Sequence, residues 1–191
     1  MCLLAVPATA HAEWHITPMI GVTLAGKTSF QDLDKGTGKA HPALSISGMW
    51  LSKSIFGVEA FGHITPRLFE NGGTLVTSSR STVLMGNLVV TAPRKLTEYF
   101  LRPFASGGFG LLRVFERAEP IFGERVLDIH ANLAGFNIGG GAIGFLTQDV
   151  GVRFEFRYFG TLHATDRGGF EAIGPAHLRY TTASVGVVIR R

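Results

Sequence analysis

One cysteine, Cys2, stands in 191 residues, so the chain has no material for a disulfide framework. No apolar run approaches the roughly 18 residues of a transmembrane helix. Basic and acidic side chains nearly balance at a net charge of +4, without a clustered basic run, which argues against a nucleic-acid partner. Phosphate-cradling glycine loops, paired catalytic carboxylates and the short His or Cys spacings of metal sites are missing, so no cofactor and no metal are expected. His41, His130, His163 and His177 fall on or beside prospective loops, scattered as solvated histidines are. What is abundant is glycine, 25 residues, and apolar side chains, 46%, at a mean hydropathy of +0.25. High hydropathy in short pieces divided by turn residues reads as many strands.

The clearest piece is Asn137 to Phe159, NIGGGAIGFLTQDVGVRFEFRYF, which predicts a β-hairpin. In its second half Val150, Val152, Phe154, Phe156 and Tyr158 fall on one face, and Gly151, Arg153, Glu155 and Arg157 on the other. In a bilayer the charges have to turn inward, because each would cost on the order of 2–4 kcal/mol near the midplane of the hydrocarbon.

The same alternation recurs along the chain. Trp14, Ile16, Ile20, Val22 and Leu24 make the apolar row of a first strand from Glu13, with Pro18 its one irregularity, tolerable at a bulge. Leu44, Ile46, Gly48 and Trp50 make a second. Phe56, Val58, Ala60, Gly62 and Ile64 make a third, with Glu59, Phe61 and His63 opposite. Leu84, Leu88 and Val90 mark a fourth, with Met85 and Asn87 inward, and Tyr99 to Phe115 a fifth with Arg102 inward. The hairpin supplies strands six and seven, and Leu178 to Arg191 the last, with Ala183, Val185, Val187 and Ile189 outward. Prospective long loops at Gly26–Pro42, Pro66–Arg80, Glu116–Asn132 and Gly160–His177 alternate with short turns at Ser52–Ser54, Ala92–Glu98 and within the hairpin. Eight segments with this rhythm predict an all-β, closed, antiparallel, up-and-down transmembrane barrel with turns at one end and four long loops at the other. A lipocalin-like soluble barrel is the alternative. Its G-x-W has a counterpart in Gly48-Met49-Trp50, though on the second strand instead of the first.

Residues 137–159, and Leu101 to Leu112 (LRPFASGGFGLL) before them, resemble the closing strands of small bacterial outer-membrane barrels, the opacity-protein and OmpA-like group. The shared features are a Gly-rich strand, a short turn with Thr and Asp, and a strand ending in an Arg-Tyr pair. The resemblance implies residence in the outer membrane of a Gram-negative bacterium, contact with outer-membrane lipids and lipopolysaccharide, and handling by the barrel-assembly machinery. It fits MCLLAVPATAHA at residues 1–12, which reads as the tail of a signal peptide with an Ala10-His11-Ala12 cleavage site, leaving residues 13–191 as the barrel domain. Members usually end in an aromatic residue; this chain ends Ile189-Arg190-Arg191.

Eight strands enclose a space that side chains just fill. The inward charges Glu59, Arg102, Arg153, Glu155 and Arg157 are therefore expected to form a polar network across the lumen. That points to a structural or surface-recognition role exercised through the loops, with an extracellular ligand not specified by the sequence and without catalysis. A small channel or a carrier of apolar solutes is the second reading. A lipid-A deacylase is the third, on His163, Thr165, Asp166 and Glu171, although the Ser-Asn pair of such enzymes is absent.

Overall fold

The computed structural model describes residues 13–28, 40–52, 55–66, 76–93, 101–118, 128–162 and 178–191. They form eight strands: β1 (Glu13–Thr28), β2 (His41–Leu51), β3 (Phe56–Pro66), β4 (Val76–Thr91), β5 (Leu101–Ala118), β6 (Asp128–Phe145), β7 (Val150–Thr161) and β8 (Leu178–Arg190). Each pairs antiparallel with its sequence neighbours, and β8 returns to β1, closing the sheet without an edge. Closure brings the two ends of this wall together: Trp14 N–H donates to the Arg191 carbonyl at 3.1 Å and Arg191 N–H to the Trp14 carbonyl at 2.9 Å.

The wall is apolar outside and polar inside. On β2, and on β7 as far as Phe159, burial alternates residue by residue, so Leu44, Ile46 and Trp50, or Phe154 and Phe156, are exposed while Ser45, Ser47, Arg153, Glu155 and Arg157 are buried. Leu88 is 71% exposed and Arg153 0%, the reverse of a barrel that keeps an apolar ligand inside and water outside, and the soluble lipocalin-like alternative falls. Along β1 the exposed apolar row runs from Trp14 to Leu24. At the rise and tilt of barrel strands this is a band of about 25 Å, the height of hydrocarbon such barrels span. Trp14 and Trp50 pair at 6.4 Å on its lower rim, where amphipathic rings sit at a membrane interface.

Pro18 does not bulge β1. It pairs with Ile46 of β2, while the ladder to β8 skips Thr17 and Pro18 and resumes in the same register at Met19, because proline has no N–H to give. The irregularity of β1 lies higher, between Leu24 and Lys27.

Strands β4, β5 and β6 rise further than their apolar rows. Stretches expected in the loops Pro66–Arg80 and Glu116–Asn132 belong to strands, since β4 starts at Val76, β5 ends at Ala118 and β6 starts at Asp128. The connection 92–100 is as long as 67–75 and 119–127, so the long-short rhythm holds only in part. The hairpin turn 146–149 is tight: the Thr147 hydroxyl accepts from Val150 N–H at 3.0 Å, and Leu146 N–H donates to the Val150 carbonyl at 2.9 Å.

Candidate functional site

The lumen is filled in three storeys. Next to the turns, Met49, Leu51, Val89, Phe104, Ile143 and Val188 form one buried apolar cluster. Towards the loops, Met19, Phe61, Val83, Met85, Leu112, Phe159, Leu178 and Tyr180 form a second. Four ionised side chains, Glu59 from β3 and Arg153, Glu155 and Arg157 from β7, lie between them, each at most 3% exposed.

Strand period places the β7 trio. Positions 153, 155 and 157 point the same way, so Glu155 is held between two arginines on its own strand. Its Oε2 pairs with Arg153 Nη2 and its Oε1 with Arg157 Nε. Glu59 faces them from across the barrel: Arg153 Nη2 donates to its Oε1 at 2.7 Å and Arg157 Nη2 to its Oε2 at 2.9 Å. Ser47 Oγ and Asn87 Nδ2 donate one further bond to each oxygen, at 2.5 Å and 2.8 Å. Asn137 completes the ring, accepting from Arg157 Nη1 at 2.6 Å and donating to Asn87 Oδ1 at 2.6 Å. Two anions and two cations thus cancel, which is what a low-dielectric interior requires of buried charge. The guanidinium faces are covered as well, Arg157 by the Phe61 ring at 4.0 Å and Arg153 by Phe104 at 4.4 Å.

Arg102 points into the lumen as expected but lies nearer the turns. Its Nη2 donates to Thr91 Oγ1 at 2.6 Å and its Nε to the Ala92 carbonyl at 3.2 Å, tying β5 to the end of β4. Sequence reasoning missed Ser47 and Asn137 as members of the network and assigned Asn87 no role. The available signal was their place on inward rows, Asn137 four residues before Gly141 and Ser47 two before Met49.

Above the ion cluster, His63 is stacked on Phe159 at 5.3 Å and lies 6.1 Å from Tyr180. Its Nδ1 bonds Ser45 Oγ at 2.9 Å and its Nε2 bonds Thr65 Oγ1 at 2.8 Å, which in turn meets Thr23 Oγ1 at 3.2 Å. His41 is buried at the start of β2, His130 belongs to β6, and His163, Thr165, Asp166, Glu171 and His177 lie outside the described residues, as do residues 1–12. Among the described residues no three His, Cys, Asp or Glu side chains gather as metal ligands.

No family model and no curated protein matches this chain. Solved structures do. Neisserial surface protein A superposes with a TM-score of 0.64 at 11% identity, over 93% of this chain and 97% of the other. Ail, the attachment invasion locus protein of Yersinia pestis, in complex with the heparin analogue sucrose octasulfate, gives 0.59 at 14% identity, covering 94% and 99%. The outer membrane protein OprG from Pseudomonas aeruginosa gives 0.52 at 14%, covering 95% and 97%. At such identities the likeness is one of fold, and the fold of this chain is that of the small eight-stranded outer-membrane β-barrels.

Proposed function

We propose that the protein is a surface-facing scaffold of the outer membrane: a barrel with a sealed lumen whose role is structural or recognitional and is exercised through the loops at the end opposite its termini. The observation that carries this reading is the charge-neutral cluster of Glu59, Arg153, Glu155 and Arg157 closed between two apolar storeys. A solute path would have to separate these ion pairs and displace the tilted ring pair of Phe61 and Phe159, whose centroids are 6.0 Å apart. With the interior committed to packing, recognition falls to segments carried on the rigid wall. Outer-membrane lipids, lipopolysaccharide, the assembly machinery and an extracellular ligand are the partners this reading requires. Its nearest support by analogy is Ail, a protein named for attachment and invasion.

The test is ion conductance of the refolded 13–191 chain in a planar bilayer, with insertion first verified by a heat-modifiable gel shift. Verified protein is expected to be silent. Discrete steps that vanish or change selectivity in Arg153→Ala or Glu155→Ala would establish the channel reading in its place.

A further inference from the structure

The outer wall is not uniformly convex. On β8 the outward residues Thr181, Ala183 and Val185 are shorter than those beside them. Register sets Ala183 between Phe156 of β7 and Val22 of β1, Thr181 between Tyr158 and Leu24, and Val185 between Phe154 and Ile20. Large side chains on both flanks and small ones between them leave a trough. Its upper part, about 660 Å³, is walled by Phe154, Phe156 and Leu44 over a floor of Ala183 and Val185. A second part of about 580 Å³ shares Ile20, Leu44 and Val185 with the first and continues towards Val187, so the two form one apolar furrow running down the barrel.

Arg179 stands at the head of this furrow. It lies on the same outward row of β8, four residues and so about 13 Å above Ala183, at the loop end of the strand. It is exposed, and among the described residues it has no acidic partner. Lys27 occupies the position paired with it on β1. An apolar furrow spanning Pro18 to Val22 of β1 and Ala183 to Val187 of β8, with a cation above it on the same outward row that can snorkel along the wall, has the complementarity of one amphiphile: an acyl chain below and a phosphate above.

We infer that the β7–β8–β1–β2 face is a binding site for an anionic membrane lipid, its acyl chain lying in the furrow over Ala183 and its headgroup phosphate on Arg179. This rests on the membrane-spanning reading above. Exposed Arg113 on β5 faces outward near the same end but is not among the residues walling the furrow, which makes it a control for non-specific attraction.

The test is native mass spectrometry of the barrel released from detergent micelles doped with phosphatidylglycerol or, separately, phosphatidylcholine, for the unmodified chain and for Arg179→Gln, Ala183→Leu and Arg113→Gln. The unmodified chain is expected to retain phosphatidylglycerol about fivefold better than phosphatidylcholine, the magnitude of one basic side chain at a membrane surface. Arg179→Gln should erase that preference, Ala183→Leu should lower retention of both lipids by filling the furrow, and Arg113→Gln should change nothing. Equal retention of the two lipids, an equal effect of Arg113→Gln, or undiminished retention in Ala183→Leu would overturn the site. So would a dimer of the unmodified chain that Ala183→Leu dissociates, because a second copy would then occupy the furrow. Failure of the unmodified chain to form a heat-modifiable species in micelles would instead sink the membrane reading on which the site depends.

Discussion

Replacing Glu59 by glutamine removes one charge from the lumen while keeping the shape of the side chain. Glu59 accepts four bonds, from Ser47 and Arg153 at one oxygen and from Asn87 and Arg157 at the other. An amide has one oxygen and one NH₂, so in either orientation two donors meet a donor. Each arginine keeps one carboxylate, Glu155, but the cluster is left with a net positive charge in a buried interior. Removing one partner of a buried ion pair costs about 3–5 kcal/mol, and stranded donors about 1–3 kcal/mol each where they cannot relax. Because half of the pairing survives, a loss of about 3–5 kcal/mol in all is expected, a large share of the roughly 5–15 kcal/mol that holds a domain folded. The assay is reversible urea unfolding of the barrel in phosphatidylcholine vesicles, followed through Trp14 and Trp50. The double variant Glu59→Gln/Arg157→Met, neutral again, should recover part of the loss as a coupling energy. A cost below about 1 kcal/mol for Glu59→Gln would refute the reasoning, since only charges screened by water are that cheap to unbalance.

Three other changes probe the rest of the molecule. Leu88→Arg, on the outward row near the middle of the band, should destabilise the barrel in vesicles by about 2–4 kcal/mol in urea titrations, whereas a water-facing surface would leave it neutral. Gly141→Ala should lose the heat-modifiable form on gels, because its Cβ would press on the Phe154 carbonyl and lie 2.9 Å from Glu155 Cα, backbone that cannot step aside; Gly86→Ala, with nothing within 4 Å, should fold normally. Phe159→Ala should cost about 3–5 kcal/mol by emptying part of the loop-side storey, yet remain silent in a planar bilayer because the ion cluster beneath still closes the lumen.

The fold was legible where lipid imposes a pattern and illegible where it does not. From Trp14 to Leu24, or Val150 to Tyr158, one face has to be apolar, and alternation carried both strand and facing. Above the band lipid imposes no such constraint. The backbone goes on pairing there, Arg117 with Asp128 and Ser78 with Arg117, but no binary pattern marks it. Residues 76–80, 116–118 and 128–132 therefore look like loop in the sequence, although they extend β4, β5 and β6. Hydrogen bonding sustained those strands without any hydrophobic signature.

The candidate site shows a different limit. Alternation says which side of the wall a residue faces, and on that ground Glu59, Arg102, Arg153, Glu155 and Arg157 are all lumenal. It says nothing of height along the axis, which depends on how successive strands are staggered as the sheet closes. Register supplies that coordinate: Glu59 pairs across to Asn87 and Asn87 to Gly108, whereas Arg102 stands three inward positions further down β5, opposite Ile143. Four of the five charges consequently meet and the fifth secures the rim of a turn. The same staggering explains why glycine recurs inside. Gly108 and Gly141 lie where the backbone of the neighbouring strand passes too close for a Cβ, Gly141 on the strand beside the Glu155 pairings. At Gly139, two residues before Gly141, an added Cβ would instead meet Arg157 Cγ at 3.1 Å, so the bare strand and the long charged side chain beside it are two sides of one packing solution.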